Sequence, residues 1–76
     1  MKLTSREREI LKLMTFSNQY IAKKLNIQLS TVKAHVHNIL LKMDCVDRAN
    51  CLVKAIKMGI ISVFEVSNDT TRDYNR

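Results

Sequence analysis

A chain of 76 residues holds one small domain, and multi-step enzymes that need a second domain or a large cleft do not fit within it. Lys and Arg number 13 against 7 Asp and Glu, a formal charge of +6, so an anionic partner is the first to test. Pro is absent and Gly59 is the only Gly, which removes the two best turn formers and excludes hairpin-rich or Gly-loop architectures as a first expectation. The expected class is all-α.

In chain order, Thr4 followed three residues later by Glu7 is the spacing of a capping box, and it predicts a first helix from Ser5 to Met14. Ile10, Leu13 and Met14 share one stripe of that helix. Ser17 offers the next cap, for a short helix from Asn18 to Leu25 that turns Ile21, Ala22 and Leu25 inward and leaves Lys23 and Lys24 outside. Asn26, Ile27 and Gln28 interrupt it, and Asn is the residue best able to take the left-handed conformation without Gly.

A third helix is predicted from Ser30 to about Met43. Val32, Val36, Ile39, Leu40 and Met43 form one continuous stripe at 3.6 residues per turn. Ser30, Lys33, Ala34, His37 and Leu41 then lie roughly opposite the core, while Thr31, His35, Asn38 and Lys42 make a neighbouring polar stripe. After a connection at Asp44 to Asp47, a fourth helix runs from about Ala49 to Met58 and ends where Gly59 supplies a left-handed turn. Cys51, Leu52, Val53, Ala55, Ile56 and Met58 make it apolar around more of its circumference than one core contact needs, so part of it is expected to meet a second protein surface. Ile60 to Val66 is a short apolar run, extended or helical. The expected organisation is a domain over residues 1–64 and a polar, flexible tail over residues 65–76.

Other classes fall away. Cys45 and Cys51 are the only cysteines, and with His35 and His37 they lack the ligand spacing of a structural zinc site, so neither a metal nor another cofactor is expected. No stretch approaches the roughly 20 apolar residues of a membrane span, and no signal-peptide core follows the charged amino terminus. The chain therefore reads as soluble and cytoplasmic. Glu7, Glu9, Asp44, Asp47, Glu65, Asp69 and Asp73 offer no pair suited to acid–base work, which argues against an enzyme.

Two helices joined by a turn of about three residues, the second with an acid-free polar face, are the parts of a helix-turn-helix DNA reader. From Ile10 to Met43 there is no Asp or Glu, while Lys12, Lys23, Lys24, Lys33 and Lys42 all fall there. A surface that meets phosphates must avoid carboxylates, which the backbone would repel.

Four blocks carry a family resemblance: Leu3 to Leu11 (LTSREREIL), Ser17 to Ala22 (SNQYIA), Thr31 to Leu40 (TVKAHVHNIL) and Arg48 to Leu52 (RANCL). In this order they resemble the LuxR-type (GerE-like) helix-turn-helix domain of bacterial transcription regulators, over about Leu3 to Ile61. The resemblance implies a four-helix, double-stranded DNA-binding domain whose third helix, about residues 30–43, enters the major groove, and which dimerises through its last helix on a two-fold site.

Carried onto this chain, it implies base contacts from Lys33, Ala34 and His37. It implies phosphate contacts from Ser17, Asn18, Ser30, Thr31, His35, Asn38 and Lys42, and a homodimer interface at Cys51, Lys54, Ala55 and Met58. RNA polymerase or a larger regulator is a further partner to consider. The chain departs from the family pattern in having two fewer residues, a Gly among them, before Ser17, and in having Gln28 where a Ser caps the recognition helix. Two other readings stand beside this one: a promoter-reading helix-turn-helix like that of a sigma factor, which leaves Arg48 to Gly59 unexplained, and a protein-interaction module or antagonist that pairs with a larger regulator through helix four.

Overall fold

A computed structural model describes residues 2–66. Within them the fold is all-α, with α1 at Ser5–Leu11, α2 at Asn18–Leu25, α3 at Leu29–Met43 and α4 at Arg48–Lys57, followed by a 3-10 turn at Val63–Glu65. The long α3 is the axis of the domain, and the other three α-helices pack on it. Its stripe Val32, Val36, Ile39 and Met43 is buried as the spacing predicts, against Ile10 and Leu11 of α1, Ile21 and Ala22 of α2 and Cys51 and Ala55 of α4.

The start of α1 follows from the capping box. Thr4 Oγ1 accepts from the Glu7 N–H at 3.1 Å and Glu7 Oε1 accepts from the Thr4 N–H at 2.9 Å, so two otherwise orphaned amides are satisfied. The end of α1 differs from expectation, at Leu11 instead of Met14. Leu13, Met14 and Phe16 donate to the carbonyls of Ile10, Leu11 and Leu13, three residues back in each case, which is the tighter 3-10 pattern. Only Thr15 and Phe16 separate Met14 from Ser17, too few to carry the chain from a full helix to the start of α2. The last expected turn of α1 is therefore spent as connector, and Leu13, Met14 and Phe16 stay buried from within it.

Ser17 caps α2 by accepting the Tyr20 N–H at 3.1 Å. Asn26 ends the helix in the left-handed region at φ 55°, as expected. The start of α3 carries no side-chain cap, because Gln28 is too long to fold back as Ser or Asp does. Asp44 ends α3 at φ 55°; Asp shares with Asn a short side chain that tolerates this conformation. The helix α4 begins one residue earlier than expected, at Arg48, because Asp47 accepts the Asn50 N–H at 2.8 Å and acts as its cap. Gly59 takes φ 75°.

Past α4, Ile61 is buried and Glu65 Oε1 accepts the Ser62 N–H at 2.6 Å. Glu65 also meets Lys12 at 3.3 Å, and Val66 packs on the core. The folded part therefore runs beyond the expected boundary at residue 64. The rest of the expected flexible tail, residues 67–76, lies outside the described residues. No helix among the described residues is long and apolar enough to cross a membrane.

Candidate nucleic-acid interface

The unit formed by α2, the turn at residues 26–28 and α3 presents one open face. Because the inward stripe of α3 is fixed by Val32, Val36, Ile39 and Met43, helical geometry sends Lys33, Ala34, His37 and Leu41 to the other side, where all four are exposed. Ser30, Thr31, Asn38 and Lys42 are exposed beside them and His35 is half-buried. The third helix thus brings together all three residues expected at base edges and five of those expected at phosphates. Leu41, two-thirds exposed at 66%, extends the same face by one more turn.

Lys42 has a partner that sequence spacing did not reveal. Its Nζ donates to Glu7 Oε1 at 2.7 Å, a contact between residues 35 positions apart that ties α3 to α1. The Ile10 to Met43 stretch is free of acids in sequence but not in space. Glu7, however, is only 4% exposed, so the surface that faces outward still presents the ammonium and not the carboxylate. Burial pushes the Glu7 carboxyl up, but the Lys42 ammonium and the hydrogen bonds from Thr4 outweigh it and hold the group below its ordinary 4.5.

Ser17 and Asn18 sit together at the start of α2. The Ser17 oxygen serves as the cap, and Asn18 Oδ1 accepts from Arg48. Arg48 is the residue of this region that sequence reasoning did not single out. It reaches back from α4 to donate to the carbonyls of Met14 and Phe16 as well as to Asn18, and burial lowers its pKa. Its place in the RANCL block was visible in the sequence; its partners, 30 or more residues away, were not.

The expected dimer residues divide. Cys51 and Ala55 are fully buried, at 0% exposure, against the core of this same chain, which corrects their placement on an intersubunit surface: α4 needs that face to cover α3. Burial, then the neighbouring Cys45 and its hydrogen bond, push the Cys51 thiol up to about 12, so it stays neutral inside the core. Lys54 is half-buried and donates to the Met43 carbonyl at 2.6 Å, where an ammonium suits the negative end of α3. Met58 is exposed, as is Val53 on the outer side of α4. Among the described residues no three His, Cys, Asp or Glu groups gather as a metal site.

Fold and surface together define a class: a compact helix-turn-helix module whose second helix is anchored by an apolar stripe and offers an acid-free, donor-rich face. The chain belongs to the LuxR family of bacterial regulatory proteins, whose family model matches residues 1–55. It is 49% identical over 63 residues to the transcriptional regulatory protein DegU of Brevibacillus brevis, a match that covers 80% of this chain and 27% of DegU. It is 47% identical over 60 residues to the uncharacterized transcriptional regulatory protein YxjL of Bacillus subtilis (76% of this chain, 28% of YxjL). With the response regulator protein VraR of Staphylococcus aureus the identity is 44% over 61 residues (78% and 29%). The chain thus spans less than a third of the length of these relatives.

Proposed function

We propose that this chain is a sequence-specific reader of double-stranded DNA, a non-enzymatic module of transcription regulation that works in the bacterial cytoplasm. The observation that carries this reading is the outer face of α3, where Lys33, Ala34 and His37 stand exposed opposite a fully buried stripe. In the major groove Lys33 donates to guanine O6 or N7, Ala34 meets a thymine methyl, and His37 donates or accepts according to its tautomer. Ser30, Thr31, His35 and Asn38, with the start of α2 at Ser17 and Asn18, face the phosphates and set register without reading sequence. Lys42 adds its charge to that row while it is tethered to Glu7.

Membership in a family of bacterial regulatory proteins and the names of the relatives, two transcriptional regulatory proteins and a response regulator, support the same assignment. The module binds as a homodimer on a two-fold site, one α3 per half-site, with exposed Met58 and Val53 of α4 at the contact in place of the buried Cys51 and Ala55. RNA polymerase or the rest of a larger regulator are its further partners.

Selection of bound duplexes from a random library tests the reading. A palindromic consensus is expected, with Lys33→Ala relaxing preference at one base position and Thr31→Ala weakening all sequences alike. Equal behaviour of the two variants overturns the division of faces, and no enrichment at low salt overturns DNA binding itself.

A further inference from the structure

Arg48, the first residue of α4, spans the gap to the start of α2. Its Nε donates to the Met14 carbonyl at 3.1 Å, and its two terminal nitrogens donate to the Phe16 carbonyl and to Asn18 Oδ1, each at 2.5 Å. One planar guanidinium therefore grips two carbonyls of the connector and the side chain of the first residue of α2. A planar fork suits this task, because its donors diverge in fixed directions.

The consequence lies in the orientation of the Asn18 amide. An Asn side chain has an accepting oxygen at one corner and a donating NH₂ at the other. Arg48 has donors only, so it tolerates the oxygen beside it and repels the NH₂. With the oxygen held inward, the NH₂ is the corner left over, and it bonds to no other described residue. A phosphate oxygen accepts and never donates, so this is the one flip of the amide that serves a phosphate. The shortened connector adds to the need, since it leaves the α1 ladder early for 3-10 bonds and must be held in that course up to the start of α2.

We propose that Arg48 is a positioning residue for DNA binding: by holding the Asn18 oxygen and the connector carbonyls, it presents the Asn18 NH₂ outward to a backbone phosphate. It touches no DNA itself and acts through Asn18. The inference rests on the proposed DNA reading and assigns a role within it to α4.

The test measures affinity for the selected duplex by fluorescence anisotropy, at a temperature where thermal melts show each variant fully folded. Asn18→Ala is expected to weaken binding about tenfold, the scale of one lost hydrogen bond to a charged group, on every sequence alike and with base preference intact. Arg48→Lys keeps the charge but not the fork; it is expected to lose a similar factor alone and nothing further in the Asn18→Ala background. Asn18→Asp keeps the inward acceptor, and so the melting temperature, but turns an oxygen toward phosphate; it is expected to bind more weakly than Asn18→Ala.

Multiplicative losses for Arg48→Lys and Asn18→Ala overturn the proposal, because a merely structural Arg48 acts independently of Asn18. If Arg48→Lys does not fold, Asn18→Asp decides alone: binding equal to wild type overturns the proposal. In each of these failures wild type still binds DNA, whereas failure of wild type to bind any duplex overturns the DNA reading instead.

Discussion

The seams that α1 and α4 make with the rest of the domain are built from different chemistry. Along the seam with α1, a buried carboxylate meets an ammonium, Glu7 to Lys42, so both partners carry charge and one titrates in acid. Along the seam with α4, cations meet neutral acceptors: Lys54 donates to the Met43 carbonyl, and Arg48 to the connector carbonyls and Asn18. Their carbonyl and amide acceptors carry no proton to gain or lose between neutral pH and acid. The first seam is therefore sensitive to pH, and the second depends on geometry, because carbonyls cannot move to follow a displaced donor.

The largest effect that tests this contrast is expected for Arg48→Met. Two connector carbonyls and the Asn18 oxygen lose their donor together, which costs on the order of 3 kcal/mol for partners left unsatisfied. For a domain of this size that corresponds to a fall in melting temperature of roughly 12 to 24 °C by calorimetry. Retention of wild-type stability would show that the clamp is ornamental.

Glu7→Gln comes next, at about 2 kcal/mol near neutral pH, since the amide loses the ion pair with Lys42 and weakens the cap on Thr4. Its pH signature is more telling than its size. The folded-state pKa of Glu7 lies below the ordinary 4.5, so its contribution is complete above that value and drains away as pH falls through the lower, folded value. Urea denaturation from pH 7 to pH 2 is expected to show wild type converging on Glu7→Gln in acid. Parallel curves would mean that other acids govern the acid limb.

Lys54→Met is expected to cost about 1 kcal/mol, the worth of one hydrogen bond and a helix-terminus charge, with a pH profile unchanged below neutrality; an altered acid limb would erase the distinction between the seams. The smallest effect belongs to Glu65→Gln, at the exposed contact with Lys12. It is expected to leave the melting temperature within measurement error, as exposed ion pairs usually do.

Much of the scaffold was legible because its causes are local. The Thr4 and Glu7 box, the Ser17 cap, the inward stripe of α3 and the left-handed turns at Asn26 and Gly59 all follow from residues within a few positions of one another. The open face of α3 was legible for the same reason, as the complement of its buried stripe. The end of α1 was misjudged because apolar spacing continues through Leu13 and Met14, while the connector needed those residues for reach. The inward face of α4 was misjudged because its apolar residues surround the helix, and only α3 decides which of them, Cys51 and Ala55, become core. The bonds of Lys42 and Arg48 join positions 30 or more residues apart, a separation at which no local pattern operates.

The stacking of Phe16 on Tyr20, with ring centroids 4.2 Å apart and planes inclined by 30°, gives the domain an optical reporter of its own. The chain has no Trp and only two Tyr, so near-ultraviolet ellipticity draws on few chromophores, and Tyr20 lies on the first turns of α2, beside the residues that Arg48 holds. Loosening of the clamp, arrival of a nucleic acid and unfolding of the α1 connector would each disturb that ring pair differently, and all three can be followed on unlabelled protein.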